Sequence, residues 1–348
     1  MKIVSGEFGQ YQGEKVYSYK LENNQGMSIT CITLGCIITE INTANQNGEF
    51  ENVVLGFDDV DSYIEKSPYF GAVIGRVAGR IDKGEFDLNG ETYTLPQNEN
   101  TNHLHGGPEG FDRQLWQAST FEKEDEVGIE FSYRSKAGEA GYPGNLNVRV
   151  TYILNNQNEI VVHYFATTDK DTLVNLTNHT YFNLSGNVKQ DILSHELTLK
   201  SQKVLELNES FIPTGKFLDV ANTPFDFRDG KKINDAVSSN DPQIKLVGQG
   251  VDHPFLLDEN HNEEICLSDE ESGRKLIIET DEQSVVVYTS NMLDDSFTIR
   301  DVQSSKYLGI CLETQGLPDS IHHPEFSPCI LKAGDEYKTT TIYKFTTK

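Results

Sequence analysis

The chain has 348 residues and a formal net charge of -25. A surface of that charge repels phosphate backbones and anionic lipid heads, which argues against nucleic acid and membrane partners. Hydrophobic residues make up 36% of the chain, enough for a large core, and Phe 18 and Tyr 15 against Met 3 tilt the composition toward β-structure.

In chain order, the N-terminal residues lack the long apolar run of a secretion signal, and no later segment is apolar enough to span a bilayer, so a cytoplasmic location is expected. Residues 27–33 (MSITCIT) alternate as a strand, and residues 58–66 suit a short helix. GAVIGRVAGRI (71–81) sets Arg76 and Arg80 in an apolar, glycine-rich run. EFDL-NG-ETYTL (85–95) predicts a hairpin, because Asn-Gly suits the positive φ angles of a type I′ turn. NHLHGG (102–107) places His103 and His105 on one side of an extended segment. NLNVRVTYIL (145–154) and EIVVHYFATT (159–168) flank a turn-rich NNQN. LTNHTYFNL (176–184) reads as a strand with unlike faces. One carries Leu176, Asn178, Thr180, Phe182 and Leu184; the other is a polar row of Thr177, His179, Tyr181 and Asn183. GVDHPF (250–255) follows. KLIIET (275–280) and SVVVYTS (284–290) flank a short turn, residues 304–308 are a second helix candidate, and YLGICLETQGLPDS (307–320) sets Glu313 in an apolar strand.

Helix–strand alternation, a fixed repeat and a linker are all missing, so the pattern predicts an all-β chain, one domain over 1–348 built as a large antiparallel β-sandwich with a groove on one face. The five cysteines (31, 36, 266, 311 and 329) contain no C-x-x-C pair and suggest neither a disulfide framework nor a zinc site. Phosphate-loop, dinucleotide, serine-elbow and H-E-x-x-H motifs are also missing. His322 and His323 are adjacent and are expected to point apart, which makes a shared metal hard to hold.

Each polar oddity has a bland alternative. The arginines suit structural salt bridges as well as carboxylate or sugar hydroxyl partners. The LHGG glycines serve a tight turn as readily as a ligand. His179 suits a hydrogen-bonded core, Asp252 a turn, and Glu313 a solvent face. If Glu313 is buried, desolvation pushes its pKa upward and makes it a better base. Together the set offers a base, an acid and hydroxyl-binding groups, suited to proton transfer on an uncharged polar ligand.

In this order and spacing LHGG, NHTYFNL, VDHPF and LETQ resemble the aldose 1-epimerases, or galactose mutarotases, and the similarity reaches the ending LKAGDEYKTTTIYKF (331–345). The resemblance implies a sandwich with an open sugar-binding cleft, no cofactor or metal, and interconversion of the α- and β-anomers of free hexoses such as galactose and glucose. It implies Glu313 as general base, His179 as general acid, His105 as a sugar-binding assistant, and Asp252 and Arg80 as hydroxyl holders, in a monomer or homodimer. Mutual attraction is expected to raise the histidine pKa and lower that of the glutamate. Two positions depart from the family pattern: Gly79 where Asn is frequent, and Val286 where Gln is sometimes found. A non-catalytic carbohydrate-binding module and a hexose-6-phosphate 1-epimerase are the competing readings.

Overall fold

The computed structural model describes residues 1–347. Three antiparallel sheets dominate. The largest has nine strands and runs from Gln117–Glu122 at one edge, through Glu126–Ser135, Leu146–Asn155, Glu159–Thr168, Glu336–Thr347, Arg274–Thr280, Ile265–Ser268 and Glu196–Leu199, to Lys231–Lys232. A six-stranded sheet has the order Tyr181–Phe182, Ile310–Gln315, Ser284–Tyr288, Asp252–Leu256, Lys203–Leu207, Pro213–Asp219. The first 52 residues form a five-stranded sheet that begins with Lys2–Tyr11.

The two larger sheets bury their facing sides in one core, which joins Val150, Tyr152 and Phe345 of one to Val285, Val287, Ile310 and Leu312 of the other. Period-two alternation decides what remains on the far face of the six-stranded sheet. Val285 and Val287 point into the core, so Val286 and Tyr288 point away; Leu312 points in, so Cys311, Glu313 and Gln315 point away. Strand register then sets Glu313 opposite Val286, and Asp252 opposite Tyr288.

Several expected elements are present. Residues 85–88 and 91–94 pair as a hairpin, with Asn89 at φ 53° and Gly90 at φ 82°, the two positive angles a type I′ turn needs. The 58–66 helix spans Val60–Glu65, capped by Asp59, whose carboxylate accepts from the Ser62 amide.

Others differ. Residues 304–308 form a turn, and two short helices, Ile233–Val237 and Pro242–Leu246, were not foreseen. The 275–280 and 284–290 segments do hold strands, but these lie in different sheets, and their turn carries the chain across the sandwich. LTNHTYFNL is also not one strand. Thr177–Asn178 pairs with Val73–Ile74, and Tyr181–Phe182 pairs with Ile310–Gln315. At the break His179 is bonded through its backbone to Gly71 and Ala72, so the ring projects from a sheet switch.

Candidate active site

The far face of the six-stranded sheet and the loops around it enclose a cleft of about 310 Å³. Glu313 and Gln315 lie on its floor beside Val286 and Asp252, and Arg80, Glu99, His105, His179 and Phe211 form walls. Residues 80, 105, 179, 252 and 313, far apart in the chain, therefore border one space.

Glu313 keeps only 3% of its surface exposed, which removes the solvent-face alternative. Its Oε1 lies 3.5 Å from His179 Nε2, and its Oε2 has no hydrogen-bond partner among the described residues. Rings fix the imidazole: Tyr181 stacks on it at 5.1 Å and Tyr69 lies at 5.7 Å, while Cys311 Sγ sits 3.5 Å from Nδ1. Burial drives both groups toward neutrality. It lowers the His179 pKa to about 4 and raises Glu313 well above the usual carboxylate range; Asp252 adds to the rise and Arg80 opposes it. The expected widening by mutual attraction is thus reversed, because desolvation outweighs a single contact at 3.5 Å.

His105 is partly buried, and the Gly79 amide donates to its Nδ1 at 3.2 Å. The neutral ring then carries its proton on Nε2 and offers an N–H rather than a lone pair. One ligand atom from each of His105, His179 and Glu313 can be chosen so that all lie within 4.8 Å of one another, yet this tautomer makes a metal a poor occupant. The LHGG glycines serve the backbone: a Cβ on Gly106 would lie 1.8 Å from the Gly75 carbonyl oxygen. His103 does not share the cleft with His105. Positive φ at residue 105 turns the chain, and His103 is buried elsewhere, bonded to Tyr142 and the Pro96 carbonyl.

The two arginines also separate. Arg76 donates to the carbonyls of Ser135, Lys136, Pro143 and Gly144 and to two hydroxyls, a wholly structural role that needs no carboxylate. Arg80 lines the cleft and also forms an ion pair, with both fork nitrogens 2.6 Å from Glu99. Asp252 lies in a strand rather than a turn, and among the described residues no side chain or backbone group donates to its carboxylate. Gly79 and Val286 both border the cleft. His322 and His323 do not point apart: both approach Asp319, at 2.7 and 3.8 Å. Glu99, Tyr69, Phe211 and Tyr288 escaped the sequence reading, since a polar loop and scattered aromatics carry no periodic signal.

The aldose 1-epimerase family model matches residues 17–344. Galactose mutarotase of Rattus norvegicus is 40% identical over 336 residues, covering 96% of this chain and 95% of that protein. Aldose 1-epimerase of Escherichia coli K12 is 34% identical over 330 residues, covering 93% and 94%. Among solved structures, galactose 1-epimerase from Lactobacillus acidophilus superposes with a TM-score of 0.89 at 29% identity, covering 99% of both chains. An aldose epimerase homologue from C. elegans reaches 0.84 at 26% identity, again over 99% of both. The chain belongs to the aldose 1-epimerase family.

Proposed function

We propose that the protein is an isomerase that interconverts the α- and β-anomers of free aldoses, galactose and glucose among them, with Glu313 and His179 carrying the proton transfers. The observation behind this reading is the buried pair itself: a carboxylate and an imidazole 3.5 Å apart at the wall of a sugar-sized cleft, with one carboxylate oxygen left without a partner.

Ring opening removes a proton from the anomeric hydroxyl and adds one to the ring oxygen. Glu313 takes the first and His179 gives the second; the aldehyde rotates about its C1–C2 bond, and reversed transfers close the ring on the other face. The pair holds one shared proton throughout. In the empty cleft burial favours the uncharged arrangement, carboxylic acid beside neutral imidazole. Carboxylate beside imidazolium has the same proton count, and sugar hydroxyls that donate to the free Oε2 favour it. Each positioned transfer contributes about 10²- to 10⁴-fold. His105 offers its Nε2–H to the substrate, and Arg80 and Asp252 hold hydroxyls. Five free thiols agree with a reducing cytoplasmic setting.

A carbohydrate-binding module has no use for a buried acid–base pair, and a hexose-6-phosphate epimerase needs a basic clamp. Among the described residues Arg80 is the one Arg or Lys bordering this cleft, and Glu99 already occupies it. The test is polarimetry on freshly dissolved α-D-galactose. Wild-type protein is expected to speed the approach to equilibrium, and failure to outpace buffer overturns the proposal.

A further inference from the structure

Glu99 lies outside every motif that carries the chemistry, yet it borders the cleft beside Arg80. Its two carboxylate oxygens accept from Arg80 Nε and Nη2, both at 2.6 Å. That bidentate fork is how a guanidinium grips a carboxylate or phosphate of any origin. Here the grip is filled from within, and Nη1 remains for neutral hydroxyls. The guanidinium also lies over the Phe211 ring at 5.3 Å, which fixes its plane. The remaining acids of the cleft, Asp252 and Glu313, have no guanidinium fork of their own.

We infer that Glu99 is a specificity residue: by filling the fork of Arg80 it closes the cleft to anionic aldoses, the hexuronates and hexose phosphates, and keeps it for uncharged ones. An anionic substrate must either displace Glu99 from Arg80 or lie beside the carboxylates of Glu99 and Asp252 without a cation of its own, and like charges so placed oppose binding strongly. The electrostatics of the neighbours agree. Burial raises the Asp252 pKa, Arg80 pulls it down and Glu99 pushes it back up, so the field of Glu99 reaches across the cleft. This inference rests on the reading that a hexose lies between Glu313 and His179.

D-galacturonate is the suitable probe, because it differs from D-galactose in the carboxylate at C6 alone. The quantity to measure is the ratio of kcat/KM for galacturonate to that for galactose at pH 7, in wild type, Glu99→Gln and Glu99→Ala. Gln matches Glu in size, and Ala covers the case in which a Gln side chain still occupies the fork. The ratio is expected to rise at least about tenfold in one or both variants, through a lower KM for galacturonate. An unchanged ratio in both, with circular dichroism matching wild type, overturns the inference. A purely structural role for Glu99 lowers both activities together and leaves the ratio where it was, which also counts against it. Failure of the underlying reading looks different: Glu313→Gln then keeps wild-type turnover of galactose itself.

Discussion

Two buried histidine–carboxylate pairs in this protein look alike by distance and differ in use. His179 lies 3.5 Å from Glu313, and His195 lies 3.8 Å from Asp269. Burial lowers both histidines to about 4. His195, however, is sealed in the interior: its Nε2 accepts the Leu184 amide and Asp269 accepts the Ser272 amide, and although its Nδ1 has no hydrogen-bond partner among the described residues, that atom faces packed protein and Asp269. His179 and Glu313 border open space, and the carboxylate keeps an oxygen with no partner. A shifted pKa therefore does not mark a catalytic group unless a substrate can reach it.

Substitutions that strike one pair at a time break this comparison most directly. Glu313→Gln is expected to lower kcat by about 10²- to 10⁴-fold with the fold intact, read by polarimetry and circular dichroism. Near-wild-type turnover would remove Glu313 from the role of base. His179→Asn should fall in the same range. His195→Ala should instead lower stability by about 1–3 kcal/mol, because it orphans the Leu184 amide, while the folded fraction retains its kcat. Calorimetry together with assays well below the transition separates the two outcomes.

The same contrast extends to the arginines. Loss of Arg76 removes its hydrogen bonds to four carbonyls and two hydroxyls, so Arg76→Met is expected to cost at least about 3 kcal/mol in denaturant unfolding. Loss of Arg80 should act on KM for the sugar more than on stability.

Acidity sharpens the comparison further. The reactive form of the cleft pair holds one proton, so kcat/KM should fall at low pH as His179, lowered to about 4, takes a second proton. It should fall again at high pH, above the raised pKa of Glu313, as the shared proton leaves. These limits belong to the coupled pair. A profile with a single limb would contradict the shared-proton arrangement. The smallest effect lies farthest from either pair: Gly90→Ala, at φ 82°, should cost about 1 kcal/mol and leave KM unchanged.

Much of the fold is legible in the chain because its causes are local. Side-chain alternation marks residues 145–154 and 159–168 as strands, and 146–154 pairs with 160–168. Asn89-Gly90 specifies its own turn, and Asp59 caps its own helix. The limit of local reasoning appears at residues 275–290, where the short turn that resembles a hairpin connection instead links two sheets. It appears again at His179, where a continuous pattern hides a switch between sheets.

The sequence by itself determined the all-β character and the inventory of unusual polar residues, Arg80, His105, His179, Asp252 and Glu313 among them. Tertiary structure decided that these residues border one cleft, that Arg76 and His103 serve the scaffold instead, and that Glu99 fills the grip of Arg80. The reason is physical. Alternation and turn chemistry act over a few neighbouring residues, whereas long-range register fixes which side chains meet, and burial depth, a property of the whole packed molecule, fixes where their protons reside.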